Sequence, residues 1–159
     1  MSAMTATTGT DSHSVYRHTV AFAETDLCGT ADYVTYMIWQ GRCRREFFRE
    51  ALGHAEDRAD GTRLFTLQAD CELLEAVQAR DRLSVRVRVA DIGHTEFGLV
   101  FEYVKETPQG EVLVAHGRQR VAVMSGPPTA PVPAMIPDVL ARVLALYAAG
   151  SRPSAGRQI

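Results

Sequence analysis

Apolar residues alternate with polar ones through most of the chain, but near the front they recur every three or four positions. That second spacing runs from Tyr33 to Leu52, YVTYMIWQGRCRREFFREAL, and predicts an amphipathic helix. Setting Tyr33 at zero with about 100° per residue, Tyr36, Met37, Gln40, Arg44, Phe47, Phe48 and Ala51 fall within roughly 60° of it. Arg42, Arg45 and Arg49 fall on or toward the opposite, solvated side. Asp32 is placed to cap the helix start, and Gly53 to stop it.

The alternating segments predict strands. Val15 to Ala23 reads as a first strand with Tyr16, His18, Val20 and Phe22 facing the core. Thr62 to Ala76 reads as a long strand, with Phe65, Leu67, Ala69, Cys71 and Leu73 on one face and Thr66, Gln68, Asp70 and Glu72 on the other. Arg82 to Ile92, Glu96 to Glu106 and Glu111 to Met124 follow, with a hairpin turn at Thr107 to Gly110. A proline-rich connector, Ser125 to Pro137, leads into a short helix over Asp138 to Ala148. The order β-α-β-β-β-β-α is α+β: a five-stranded antiparallel sheet that covers its apolar face with the one long helix.

Length and composition place this pattern in one domain. The 159 residues suffice for a single core. We read 15–149 as the domain and 1–14 and 150–159 as loose polar tails. The net charge of -2 gives no bulk attraction to nucleic acid or membrane, and no apolar run is long enough to span a bilayer. The tail MSAMTATTGTDSHS lacks the pattern of a signal peptide. Three scattered cysteines, Cys28, Cys43 and Cys71, argue against a disulfide framework and for a reducing, cytoplasmic setting. The five histidines show no metal spacing, and there is no GxSxG elbow or phosphate loop. No metal or other cofactor is expected.

Two residues admit both a structural and a functional reading. Arg44 stands on the apolar face, and a guanidinium cannot be neutralised. Either it snorkels or pairs with a carboxylate such as Asp70 or Glu72, or it lines a site and binds a substrate carbonyl or carboxylate. Asp26 lies in the turn TDLCG, six residues ahead of Asp32. It is either a turn aspartate holding backbone N–H groups, or a carboxylate beside the unpaired N–H groups of a helix start. A carboxylate next to such donors is equipped to hydrolyse an activated acyl group. Cys28 is a weaker candidate nucleophile than a small apolar filler, and Arg86 and Arg88 fit a solvated sheet face better than a phosphate site.

The element order, with a D-x-x-G turn ahead of a long helix, resembles the hot-dog fold thioesterases of the 4-hydroxybenzoyl-CoA type. The runs WQGRCRREFF, LFTLQADCELL and VAHGRQRVAVMSGPPTAPVP are most similar to the enediyne polyketide thioesterases. The likeness covers Tyr16 to Tyr147. It implies hydrolysis of a β-keto polyene acyl chain from the acyl carrier protein of an iterative polyketide synthase, after which the β-keto acid can lose CO2. It also implies that Asp26 attacks or activates water, that the Tyr33 backbone N–H polarises the thioester carbonyl, and that Arg44 holds the β-carbonyl or the forming carboxylate. Thr66, Tyr36 and Gln40 are the candidate substrate contacts. Where the enediyne branch is expected to read TNLVGN, this chain reads TDLCGT, so Asp26 takes the place of an asparagine. A homotetramer, built as a dimer of dimers with sites at the dimer interface, is implied as well. Two other readings stay open: a general acyl-CoA or aryl-CoA thioesterase, and a non-catalytic acyl-binding partner of a synthase.

Overall fold

The computed structural model describes residues 14–53 and 61–148. Five long strands form one antiparallel sheet: β1 (Ser14–Thr19), β2 (Arg63–Leu73), β3 (Arg82–Ile92), β4 (Glu96–Thr107) and β5 (Gly110–Ser125). Their spatial order is β1-β3-β4-β5-β2, and the two-residue β6 (Val132–Pro133) adds to β5. The sheet lies over the long helix α1 (Tyr33–Leu52), and the short helix α2 (Asp138–Ala148) packs beside β3. This is the hot-dog architecture expected from the sequence. The proline-rich connector therefore does more than end the sheet, since it contributes the β6 pairing. The tails 1–13 and 149–159 and most of the polar loop after α1 lie outside the described residues.

Strand alternation explains the sheet. Leu83, Val85, Val87 and Val89 of β3 and Phe97, Leu99, Phe101 and Tyr103 of β4 are fully buried against α1. The opposite face is laced by cross-strand ion pairs, among them Arg86 with Glu111 at 2.8 Å and Arg88 with Glu102 at 2.7 Å. Both strand arginines are thus engaged on a solvated face, as their alternation suggested.

Helix α1 begins and ends where its capping residues predict. The Asp32 carboxylate accepts from Val34 N at 3.0 Å. Gly53 takes φ +70° and donates its N–H to Arg49 O at 2.9 Å, a left-handed stop that glycine adopts without strain. The buried stripe comprises Tyr36, Trp39, Gln40, Cys43, Arg44, Phe47 and Phe48. It is rotated by roughly 40° from the predicted face, toward Trp39 and Cys43. Tyr33 and Met37, expected inside, are exposed. Trp39 is drawn inward because its Nε1 donates to the Glu24 carboxylate at 2.8 Å.

The same carboxylate explains why the first strand stops early. Glu24 Oε1 accepts from the backbone N of Ala21 at 2.9 Å and lies 2.6 Å from His18 Nε2. The chain closes into a 3-10 turn over Phe22–Glu24 instead of running on to Ala23. Phe22, predicted to face the core, is consequently 84% exposed.

Strand β2 departs from its predicted phase. A bulge between Thr66 and Gln68 inserts one residue, Leu67, into the pairing with β5. Thr66 then stands opposite buried Val121, and Cys71 opposite buried Gly117, so both face α1. Phe65, predicted to share a face with Cys71, pairs with Ala122 on the outer face. Simple alternation cannot reveal such an insertion.

Candidate active site

Arg44 is 7% exposed and sits under the sheet. Its Nη1 donates to Thr66 Oγ1 at 2.5 Å and to Gln119 Oε1 at 3.1 Å. The β2 bulge is what turns Thr66 to meet it. Gln119 Nε2 donates to Gln40 Oε1 at 2.7 Å, and Gln40 Nε2 donates to Tyr103 OH at 3.2 Å and Asp70 O at 3.1 Å. Tyr103 OH ends the chain by donating to the Tyr36 carbonyl at 2.8 Å. Burial pushes the Tyr103 phenol well above its ordinary range, so it stays a neutral donor. The links from Arg44 through Gln119, Gln40 and Tyr103 to the Tyr36 carbonyl are buried, where such bonds orient strongly and an unmade one is costly, while Thr66 closes the network at the exposed side of the groove.

The two carboxylates offered as partners for Arg44 lie elsewhere. Asp70 pairs with Arg118 and Glu72 with His116, each on the outer face of β2. Gly117 makes room for the network: a Cβ there would overlap both Gln40 Nε2 and the Asp70 carbonyl. Gln119 was missed by reading the sequence. Its signal was a lone polar residue in the inward series Ala115, Gly117, Gln119, Val121 and Val123.

Asp26 and Tyr33 occupy a different place. Asp26 Oδ1 accepts from Cys28 N at 2.8 Å and Thr30 N at 3.3 Å, closing a small exposed loop with Gly29 at φ +80°. Among the described residues, no ion pair joins Asp26 to Arg44. Tyr33 opens α1, so its N–H has no acceptor within the helix, and its side chain is 73% exposed. Eleven residues of helix separate Tyr33 from Arg44, which is roughly 16 Å of rise. The structure therefore brings Arg44, Thr66 and Gln40 together through Gln119, and sets Asp26 and Tyr33 apart from them. Tyr36 is buried between Trp39 and Tyr103, with its ring in the core. Cys28 is exposed, whereas Cys43 is buried with its thiol pushed up to about 12 by loss of solvent.

An open groove of about 300 Å³ runs between α1 and β2. Gly41, Arg44, Arg45, Leu64, Thr66 and Gln119 line it. Its lining is mostly polar, with two arginines, Thr66 and Gln119 beside Gly41 and Leu64, which suits an oxygenated, anionic head group.

A profile of the thioesterase-like superfamily matches residues 20–144. The chain belongs to that superfamily. It is a thioester hydrolase by family, with the hot-dog fold its relatives share. The dynemicin thioesterase, whose crystal structures reveal effects of polyene binding, is 33% identical; the match covers 86% of this chain and 97% of that one, with a TM-score of 0.79. Two others are alike in fold alone. The 4-hydroxybenzoyl-CoA thioesterase from Pseudomonas sp. strain CBS-3 is 14% identical over 84% of this chain and 98% of that one, with a TM-score of 0.69. The 1,4-dihydroxy-2-naphthoyl-CoA thioesterase from Synechocystis is 15% identical over 84% and 96%, with a TM-score of 0.73. No curated protein sequence matches this thioesterase. No helix among its described residues is long and apolar enough to cross a membrane.

Proposed function

We propose that this thioesterase hydrolyses a β-keto polyene acyl chain from the acyl carrier protein of an iterative, enediyne-type polyketide synthase. The observation that carries the reading is Arg44, a buried cation fixed by Thr66 and Gln119 at the end of a groove. A positioned guanidinium suits two oxygens, such as a β-carbonyl and a developing carboxylate. The 33% identity to a thioesterase that binds a polyene supports the same substrate class.

In this scheme the thioester carbonyl oxygen accepts from the Tyr33 N–H at the helix start. Asp26 takes a proton from water as the water oxygen attacks the carbonyl carbon. The tetrahedral oxyanion collapses, the C–S bond breaks, and the thiolate of the carrier leaves with a proton. Arg44 holds the β-oxygen and then the carboxylate. The β-keto acid released is able to lose CO2 and leave a methyl ketone. Thr66 fixes Arg44 directly and Gln40 does so through Gln119, while the Tyr36 carbonyl anchors Tyr103, which in turn accepts from Gln40.

One chain cannot hold all of these groups on one thioester, given roughly 16 Å of helix between Tyr33 and Arg44. The reading therefore requires a second copy, so that the helix start of one protomer faces the groove of another. Edge strand β2 supports such pairing, because it leaves Leu67 and Leu73 exposed beside its open backbone. Pairing of this kind closes as a dimer, and the proposed homotetramer is two such dimers joined through a second surface.

The test is thiol release from a β-ketoacyl thioester by wild type, Arg44→Ala and Asp26→Asn. Loss of a positioned charged donor is expected to cost about a hundredfold or more. A loss under about tenfold for Arg44→Ala would remove Arg44 from the reaction. Inactive Asp26→Asn makes Asp26 the working carboxylate. Full activity in that variant reduces Asp26 to a hydrogen-bonding turn residue and leaves the chemistry to Arg44 and the helix start.

A further inference from the structure

Gly41 stands in the interior of α1, where glycine is the poorest helix former after proline. A glycine is retained at such a position when packing or backbone geometry demands it, and neither does here. A Cβ built on Gly41 has no atom within 4 Å, whereas one built on Gly117 would collide with its neighbours. Its φ is not among the positive ones.

Its surroundings supply a reason. Gly41 lines the groove with Arg44, Arg45, Leu64, Thr66 and Gln119. At about 80° from Tyr33 it lies between the rows of Met37, at about 40°, and Ile38, at about 140°, and in line with Val34. All three of those apolar side chains are exposed. The flank of α1 that faces β2 therefore carries a notch, bordered by apolar groups on one side and by Arg44 and Arg45 on the other.

We infer that Gly41 is a specificity-determining residue: a linear apolar acyl chain, with its oxygenated head at Arg44, crosses α1 through the notch that Gly41 leaves. This rests on the groove being the acyl site. A side chain at position 41 would narrow the groove where a long chain crosses, and its Cβ would meet no protein neighbour there. The ligand it selects is narrow and unbranched at the point of crossing, as a polyene is.

The experiment compares the full-length wild type with Gly41→Ala and Gly41→Leu. It measures kcat/KM on N-acetylcysteamine thioesters of acetoacetate and of a long-chain β-keto acid, together with circular dichroism and light scattering. The ratio of long-chain to short-chain kcat/KM is expected to fall at least about tenfold in Gly41→Leu, the scale on which misfilled apolar pockets discriminate. A smaller fall in the same direction is expected in Gly41→Ala, with a melting temperature at or above that of wild type. Should the leucine variant not fold, the alanine variant carries the test, and an unchanged ratio there overturns the inference. A folded leucine variant with an unchanged ratio overturns it as well. Parallel loss on both substrates with a change in oligomeric mass would reassign the notch to a contact between copies. If wild type hydrolyses neither thioester, the reading of the groove fails and the inference falls with it.

Discussion

Glu24 shows how one side chain can shape its surroundings at the residue scale. Burial opposes its ionisation, but hydrogen bonds from Ala21 N, His18 and Trp39 outweigh that and hold its carboxyl below the ordinary value of 4.5. A group with a lowered pKa in the folded state stabilises the fold fully above its unfolded value, and the effect is lost as pH falls through the folded value. Glu24→Gln is therefore expected to melt below wild type at neutral pH, and the gap should shrink as pH drops below about 4.5. Melting temperatures of both proteins from pH 7 down to pH 3 check this, and a gap constant across the range would refute it. Arg44 is the complementary case. Its place on the apolar face was visible in the helical spacing, but its partners were not. Thr66 and Gln119 come from strands far along the chain, and only pairing in space brings them to it.

At the scale of elements, α1 was the most legible part of the chain. Its ends carry local chemistry, a capping carboxylate and a left-handed glycine, and local chemistry is written in consecutive residues. Asp32→Ala removes the bond to Val34 N and is expected to cost about 1 kcal/mol, lowering the melting temperature by several degrees. Chemical denaturation measures the loss, and a change within about 0.3 kcal/mol would deny Asp32 its capping role. Strands β3 and β4 followed their alternation where they meet α1, because their register shifts, between Val89 and Asp91 and between Tyr103 and Val104, come only after Leu83–Val89 and Phe97–Tyr103. Strand β2 did not, because one bulged residue reverses every side chain beyond it. The rotation of the buried stripe on α1 has a similar origin. Trp39 turns inward to a carboxylate from another element, a partner that the periodicity of α1 does not contain.

For the whole molecule, the open edge at β2 sets the expectation. Leu67 is 57% exposed in the middle of that edge, and a charge there disfavours edge-to-edge pairing. Light scattering of wild type should give a multiple of the 17.5 kDa chain, and Leu67→Lys should move it toward a single chain with loss of thiol release. A wild type that scatters as one chain at micromolar concentration would rule out a site shared between copies. The separation of Asp26 and Tyr33 from Arg44 has consequence at this scale alone, since Asp26 lies in the loop before α1, Tyr33 at its first residue and Arg44 eleven residues further along it.

The sequence by itself determined the main elements, the fold class and the placement of Arg44 on the apolar face of α1. Periodicity, capping and turn chemistry act over a few residues, so they are readable from a single chain. The resemblance carried by WQGRCRREFF and AHGRQR extended that reading to thioester hydrolysis, and the superfamily match bears it out. Only the tertiary structure decided that Thr66 turns toward Arg44 and that Gln119, itself held by Gln40, binds it from the other side. Those facts depend on register, on a bulge and on distance, and a linear pattern of residue types encodes none of them directly.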